Sequence, residues 1–156
     1  MKILVADGVS PKGIEILQKA GFETVIKDKL PAEELLEIIP DFDGLIVRSA
    51  SKVTKEVIER AKKLKIVGRA GVGTDNIDIN AATAHGIMVI NSPGGNTIAA
   101  TEHTMGMMMA MARNIAVANE TMQHGEWNRK KYTGVELRGK TLGVIGLGRI
   151  GSGVAT

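Results

Sequence analysis

Three glycines near the end of the chain, Gly146, Gly148 and Gly151, stand at the spacing G-x-G-x-x-G within Lys140–Gly151, K-T-L-G-V-I-G-L-G-R-I-G. That spacing suits a strand–turn–helix that accepts the pyrophosphate of a dinucleotide. The first glycine permits the tight turn, the second lets the backbone approach the phosphates, and the third lets the helix lie close to the strand. The N–H groups of that helix's first turn lack intrahelical acceptors and sit in a positive field, which favours an anion. The same glycines would serve an ordinary turn. The apolar run Leu142–Ile145 directly before them, read as one buried strand, favours the dinucleotide.

Three further segments are suited to anions. Arg48-Ser49 offers a guanidinium, Arg69–Asp75 (R-A-G-V-G-T-D) offers backbone N–H groups freed by glycine, and Asn91–Asn96 (N-S-P-G-G-N) offers an amide. Taken singly, each reads as a surface ion pair or a turn. Gathered on one edge of a sheet, they make a site. His103 beside Glu102 is not an acid–base pair, because adjacent residues on a helix point in different directions. The chain has no cysteine, and its histidines at 85, 103 and 124 lack the close spacing of a zinc site, so no metal centre is expected.

The elements that must position these segments are legible. From Met1 to about Pro93, short apolar runs (Ile3–Ala6, Thr24–Ile26, Leu45–Val47, Ile66–Val67, Met88–Ile90) alternate with helix-like segments. The runs are rich in Ile and Val, as in strands buried on both faces. Ser10 and Pro11 start a first helix with Ile14 and Leu17 facing inward, and Gly21 ends it. Pro31 starts a second, carrying Leu35, Ile38 and Ile39, and Pro40 stops it. Thr54 caps a third with Val57, Ile58, Ala61 and Leu64 on one side. Asp78 caps a fourth, closed by Gly86 after His85. Five β-α units predict an α/β fold, a flavodoxin-like doubly wound parallel sheet, with ligands bound beyond the carboxyl ends of the strands.

Residues Ile98 to Val117 read as one long helix capped by Asn96 or Thr97, with Ile98, Met105, Met108, Ala112 and Ile115 on one face. Methionine at that spacing reads as core filler. From Asn119 to Gly139 the pattern breaks into a polar arm with the only Trp and Tyr, Trp127 and Tyr132, which suits a contact with a second subunit.

Composition sets outer limits. At 156 residues, 44% hydrophobic, the chain is long enough for one domain and part of another. The net charge of +3 is too small and too scattered to argue for nucleic acid. The longest apolar stretch, around Met105–Ala112, is too short to span a bilayer, and Met1-Lys2 leads straight into a strand rather than a signal peptide. A soluble cytoplasmic protein is expected, with no membrane partner.

G-L-I-V-R-S-A-S-K-V-T, V-G-R-A-G-V-G-T-D-N-I-D, N-S-P-G-G-N-T and L-R-G-K-T-L-G-V-I-G-L-G-R-I-G, in this order, together resemble the D-isomer-specific 2-hydroxyacid dehydrogenases over essentially the whole chain. The resemblance implies a substrate-binding domain over residues 1–97. Residues 98–156 would then be the start of a Rossmann NAD-binding domain, truncated, with the interdomain helix and a dimerisation arm. It implies NAD-dependent oxidation of 3-phosphoglycerate to 3-phosphohydroxypyruvate, the first step of serine biosynthesis, by a homodimer or homotetramer. By position, Arg48 and Ser49 would hold the substrate's anionic end, Asn96 would hydrogen-bond it, and the N–H groups of Val72 and Gly73 would cradle its carboxylate. Val72 would also lie near the nicotinamide; some relatives have Thr there. Gly146, Gly148, Arg149, Ile150 and Gly151 would meet the pyrophosphate. The family's His–Glu pair and polarising Arg, and the acidic residue that selects NAD, would fall beyond Thr156, so these 156 residues alone are expected to be inactive. A glyoxylate or hydroxypyruvate reductase of the same family is one alternative, and an NAD-sensing corepressor-like binding module is another.

Overall fold

The computed structural model describes residues 1–156, which form two compact units, Met1–Gly95 and Asn96–Thr156. The first unit contains five parallel strands, β1 (Lys2–Val5), β2 (Glu23–Ile26), β3 (Gly44–Val47), β4 (Ile66–Arg69) and β5 (Met88–Asn91), in the order β2-β1-β3-β4-β5. Its helices are α1 (Pro11–Lys19), α2 (Ala32–Ile38), α3 (Lys55–Arg60) and α4 (Ile79–Ala84), with a 3-10 turn at Ile39–Asp41 that carries Pro40.

The helix starts follow from local chemistry. The hydroxyl of Ser10 accepts from Gly13 N at 3.3 Å, that of Thr54 from Val57 N at 3.4 Å, and the carboxylate of Asp78 from Ala81 N at 2.9 Å. Each satisfies one donor that the first turn leaves open. Gly21 (φ 82°) and Gly86 (φ 68°) supply the left-handed conformation after α1 and α4.

The core lies on one face of the sheet. Leu4, Leu45, Val67 and Val89 run across four strands in register. The first three are inaccessible and pack with Leu35, Ile39, Val57, Ile58 and Ala82. The opposite face meets the expectation of strands buried on both sides only at β1, where Ile3 and Val5 are buried as well as Leu4. On β5, Met88 is 61% and Ile90 49% exposed. The strand order supplies the reason. Right-handed crossovers put the single leftward connection, α1, on one face and the three rightward ones, α2 to α4, on the other. Ile14 and Leu17 of α1 are accordingly half-buried rather than core.

The second unit holds α5 (Thr97–Ala112), α6 (Ile115–Gln123) and α7 (Arg149–Ala155). The single helix expected over 98–117 is two. Asn114 adopts φ 52°, ψ 33° between them, a conformation asparagine tolerates better than most residues. Helix α6 then runs on into the segment expected to be irregular. Met105, Met108 and Ala112 share the half-buried side of α5, but Ile98 and Ile115 are exposed. The chain returns to α5 where Val135 N donates to Ala112 O at 2.8 Å, and a Cβ on Gly134 would lie 2.3 Å from that oxygen. Leu142–Ile145 forms no strand and Ile145 is fully exposed, because no neighbouring strand pairs with it. No helix is long and apolar enough to cross a membrane.

Candidate functional site

Because all five strands run parallel, the residues just past β1, β3, β4 and β5 share one edge of the first unit. Arg48 and Ser49 follow β3 and are exposed, and Arg69, Val72 and Gly73 belong to the end of β4 and its loop. A groove lined by Gly8, Val9, Ser10, Arg48 and Ala70 opens where the strand order reverses between β1 and β3, the position at which open α/β sheets take ligands. Asn96 lies on the other unit. It occupies the N-cap position of α5, and its side chain makes no cap hydrogen bond.

The loop after β4 is shaped by its carbonyls. Asn91 Nδ2 donates to Val72 O at 2.6 Å, and Ser92 N donates to Gly71 O at 2.9 Å. With those two oxygens held by the end of β5, the N–H groups of Val72 and Gly73 have no acceptor within the protein. Consecutive free N–H groups in a glycine loop form a concavity for an anion. A Cβ on Gly71 would come within 2.6 Å of Arg69 Nη1, so that guanidinium lies against the loop.

The Arg48 loop is held from below by a residue that sequence reasoning missed. Asp7, only 5% exposed, follows β1. Its Oδ2 accepts from Arg48 N (2.6 Å) and Ser51 N (3.1 Å), and its Oδ1 from the Ser51 hydroxyl (2.8 Å). Burial pushes its carboxyl pKa up, but the backbone N–H groups of Ser51, Arg48 and Ala50 and the Ser51 hydroxyl outweigh that and hold it below the usual value of 3.8. Asp7 is therefore ionised at neutral pH, its charge spent on the backbone. The Arg48 guanidinium reaches only Gly8 O, at 3.4 Å. Neither Arg48 nor Arg69 makes an ion pair. The nearest acidic group to Arg69 in this loop is Asp75: a Cβ on Gly73 would lie 2.6 Å from Asp75 Oδ1 and 3.7 Å from Arg69 Nη1. The signal for Asp7 was weak: a lone acidic residue directly after an apolar strand.

In the second unit the glycine motif has the geometry its spacing predicts. Gly146 takes φ 92°, open to glycine alone without strain. A Cβ on Gly148 would meet nothing within 4 Å, leaving the backbone approachable, whereas one on Gly151 would lie 1.9 Å from Gly146 O. Arg149 and Ile150 form the first turn of α7. Gly153 lets α7 pack on α5, since a Cβ there would lie 2.7 Å from Thr101 Oγ1. The loop fits a pyrophosphate: a tight turn, an uncovered backbone and a helix start.

Comparison with known proteins agrees with these features. The family model of the D-isomer specific 2-hydroxyacid dehydrogenase catalytic domain matches residues 3–143. D-3-phosphoglycerate dehydrogenase of Archaeoglobus fulgidus is 54% identical over 155 residues, covering 99% of this chain and 29% of the relative. The chain thus spans under a third of the length of the curated relatives it matches. Among solved structures, the TT0316 protein of Thermus thermophilus superposes with a TM-score of 0.92 at 34% identity, over 99% of this chain and 51% of that one. The NAD+-bound 3-phosphoglycerate dehydrogenase of Entamoeba histolytica superposes with a TM-score of 0.77 at 38% identity, over 99% and 49%. With its parallel sheet, its glycine motif and a family match over residues 3–143, the chain belongs to the D-isomer specific 2-hydroxyacid dehydrogenases.

Proposed function

We propose that the protein to which these residues belong is an NAD-dependent oxidoreductase of the cytoplasm that oxidises 3-phosphoglycerate to 3-phosphohydroxypyruvate, the first step of serine biosynthesis. In this reading residues 1–97 bind the substrate and residues 98–156 begin the nucleotide-binding domain. Arg48 and Ser49 hold the substrate's anionic end, the N–H groups of Val72 and Gly73 take its carboxylate, and Asn96 adds a hydrogen bond. The observation that carries the reading is the pair of guanidiniums without ion pairs, Arg48 and Arg69, beside free backbone donors on one sheet edge. An edge of that charge suits a substrate with both a phosphate and a carboxylate better than a small monoanion. The names of the relatives support the same substrate.

Bound at Gly146–Gly151, NAD supplies the hydride acceptor. The chain's own part is to bind and orient. Gly148 keeps the backbone accessible, Arg149 and Ile150 would present the helix start to the pyrophosphate, and Val72 would serve the nicotinamide end, as the family resemblance implies. Arg48 and the Gly71–Gly73 backbone fix the substrate at two points, which limits its rotation.

Steady-state assay of the full-length protein tests the proposal. Turnover with 3-phosphoglycerate and NAD is expected, with kcat/KM well above that of glyoxylate or hydroxypyruvate reduction. A preference for glyoxylate would move the protein to the reductase branch. NAD binding without turnover on any 2-hydroxy acid would support the corepressor-like module instead.

A further inference from the structure

The Arg48 loop is gripped on two sides. Asp7 holds it from the β1 side, and Asn76, in the loop after β4, holds it from the other. Asn76 Nδ2 donates to Arg48 O at 2.7 Å and to Ser51 O at 2.6 Å. Its Oδ1 accepts from Arg69 Nε at 2.9 Å. The partners fix the amide's orientation, since two carbonyls need a donor and a guanidinium N–H needs an acceptor. Both amide hydrogens and the amide oxygen are therefore committed. One side chain ties the backbone that carries Arg48 to the guanidinium of Arg69.

The neutrality of that side chain matters. A carboxylate at position 76 would also accept from Arg69, but it would give that guanidinium a direct ion pair and turn an acceptor towards two carbonyl oxygens. An amide holds both elements and spends neither charge. Arg69 Nη1 stays against the Gly71 backbone, next to the free N–H groups of Val72 and Gly73. We propose that Asn76 is a positioning residue for the anionic substrate. By clamping the Arg48 loop to Arg69 it sets the backbone from which Arg48 extends against the Arg69 guanidinium, without neutralising either arginine. The inference rests on the substrate reading given above and assigns to Asn76 a role no contact with substrate would reveal.

The test compares unmodified full-length protein with Asn76→Ala and Asn76→Asp. A positioning role predicts that KM for 3-phosphoglycerate rises about tenfold in Asn76→Ala, and at least as much in Asn76→Asp, the scale of a misplaced charge-assisted contact. kcat should stay within about twofold and KM for NAD should be unchanged, a split that general loosening of the fold would not produce. Thermal midpoints recorded on the same samples show that the variants are folded. Unchanged KM for 3-phosphoglycerate in Asn76→Asp, or equal losses in both Michaelis constants, would overturn the proposal. No turnover in the unmodified protein would instead fail the substrate reading. Calorimetric titration with inorganic phosphate then decides the positioning role separately: weaker binding in both variants supports it, and equal affinity in all three proteins overturns it.

Discussion

The carboxylate of Asp7 accepts the backbone N–H of Arg48 at 2.6 Å across 41 positions of sequence, so the end of the first strand sets the conformation of the loop after the third. With the Ser51 N–H and hydroxyl on the same carboxylate, three donors depend on one buried group. Asp7→Ala strands all three and should destabilise the first unit by about 3 kcal/mol. Chemical denaturation with a probe in this unit would measure it.

The same contact carries a pH signature. The folded-state pKa of Asp7 is depressed below 3.8, so its contribution is complete above that unfolded value and is lost as pH falls through the still lower folded value. The stability gap between the unmodified protein and Asp7→Asn should be constant near neutrality and narrow below about pH 4. Urea midpoints at a series of pH values give the gap directly. A gap that widens on acidification would contradict an ionised Asp7.

Arg48 stands exposed, with one long contact to Gly8 O and no acidic partner. Its replacement by Ala in the full-length protein should cost little stability but about 2 kcal/mol of 3-phosphoglycerate binding, one charge-assisted hydrogen bond. NAD affinity should hardly move. An unchanged Michaelis constant for substrate would remove Arg48 from the site.

What was legible in the sequence was what is local. All five strands and the Ser10, Thr54 and Asp78 caps depend on neighbours within a few positions, and each was readable from residue type and spacing. The break at Asn114 was not, because the apolar spacing continues through it and only the backbone conformation changes. The one-sided burial of β5 was hidden for another reason. Met88 and Ile90 look like core in a strand pattern, and whether a helix covers them depends on the direction of each crossover. At the candidate site the loops with Arg48, Ser49, Val72 and Gly73 were readable from their glycines and charges. Asp7 and Asn76, which hold the Arg48 loop, bond to it across 25 to 44 positions and carry no local mark.

Two glycines of the nucleotide motif should respond differently to the same substitution. At Gly151 a Cβ meets the backbone oxygen of Gly146 at 1.9 Å, which no side-chain motion relieves. Gly151→Ala should disrupt the turn and lower both thermal stability and NAD affinity. At Gly148 the Cβ meets nothing, and φ is −74°. Gly148→Ala should leave the thermal midpoint within about 1 °C while weakening NAD by about tenfold or more, because the methyl takes the space a pyrophosphate needs. Calorimetric NAD titration and scanning calorimetry on the full-length variants separate the two outcomes. Equal NAD affinity in Gly148→Ala would place the cofactor elsewhere.

The second unit exposes large apolar side chains on α5 and beyond: Ile98 is 74%, Met111 75% and Trp127 71% exposed. Scattered apolar side chains are ordinary on a surface, and a long helix followed by an arm carrying Trp127 offers several that a subunit interface would bury. The arm is not free-running. Its end is tied back to α5 by the Val135–Ala112 hydrogen bond, with Gly134 allowing the close approach. The full-length protein is therefore expected to sediment as a homodimer or homotetramer, with residues about 98–136 forming the contact, which at a standard interface of about 800 Å² per partner demands several such side chains. Met111→Arg would introduce a charge on α5, and Trp127→Ala would remove the largest anchor. Each should raise the dissociation constant by about tenfold or more if its side chain is at the centre of the interface. Sedimentation across a concentration series measures both. A protein that stays monomeric and active at micromolar concentration, or a dimer that neither substitution weakens, would take the interface away from α5 and its arm.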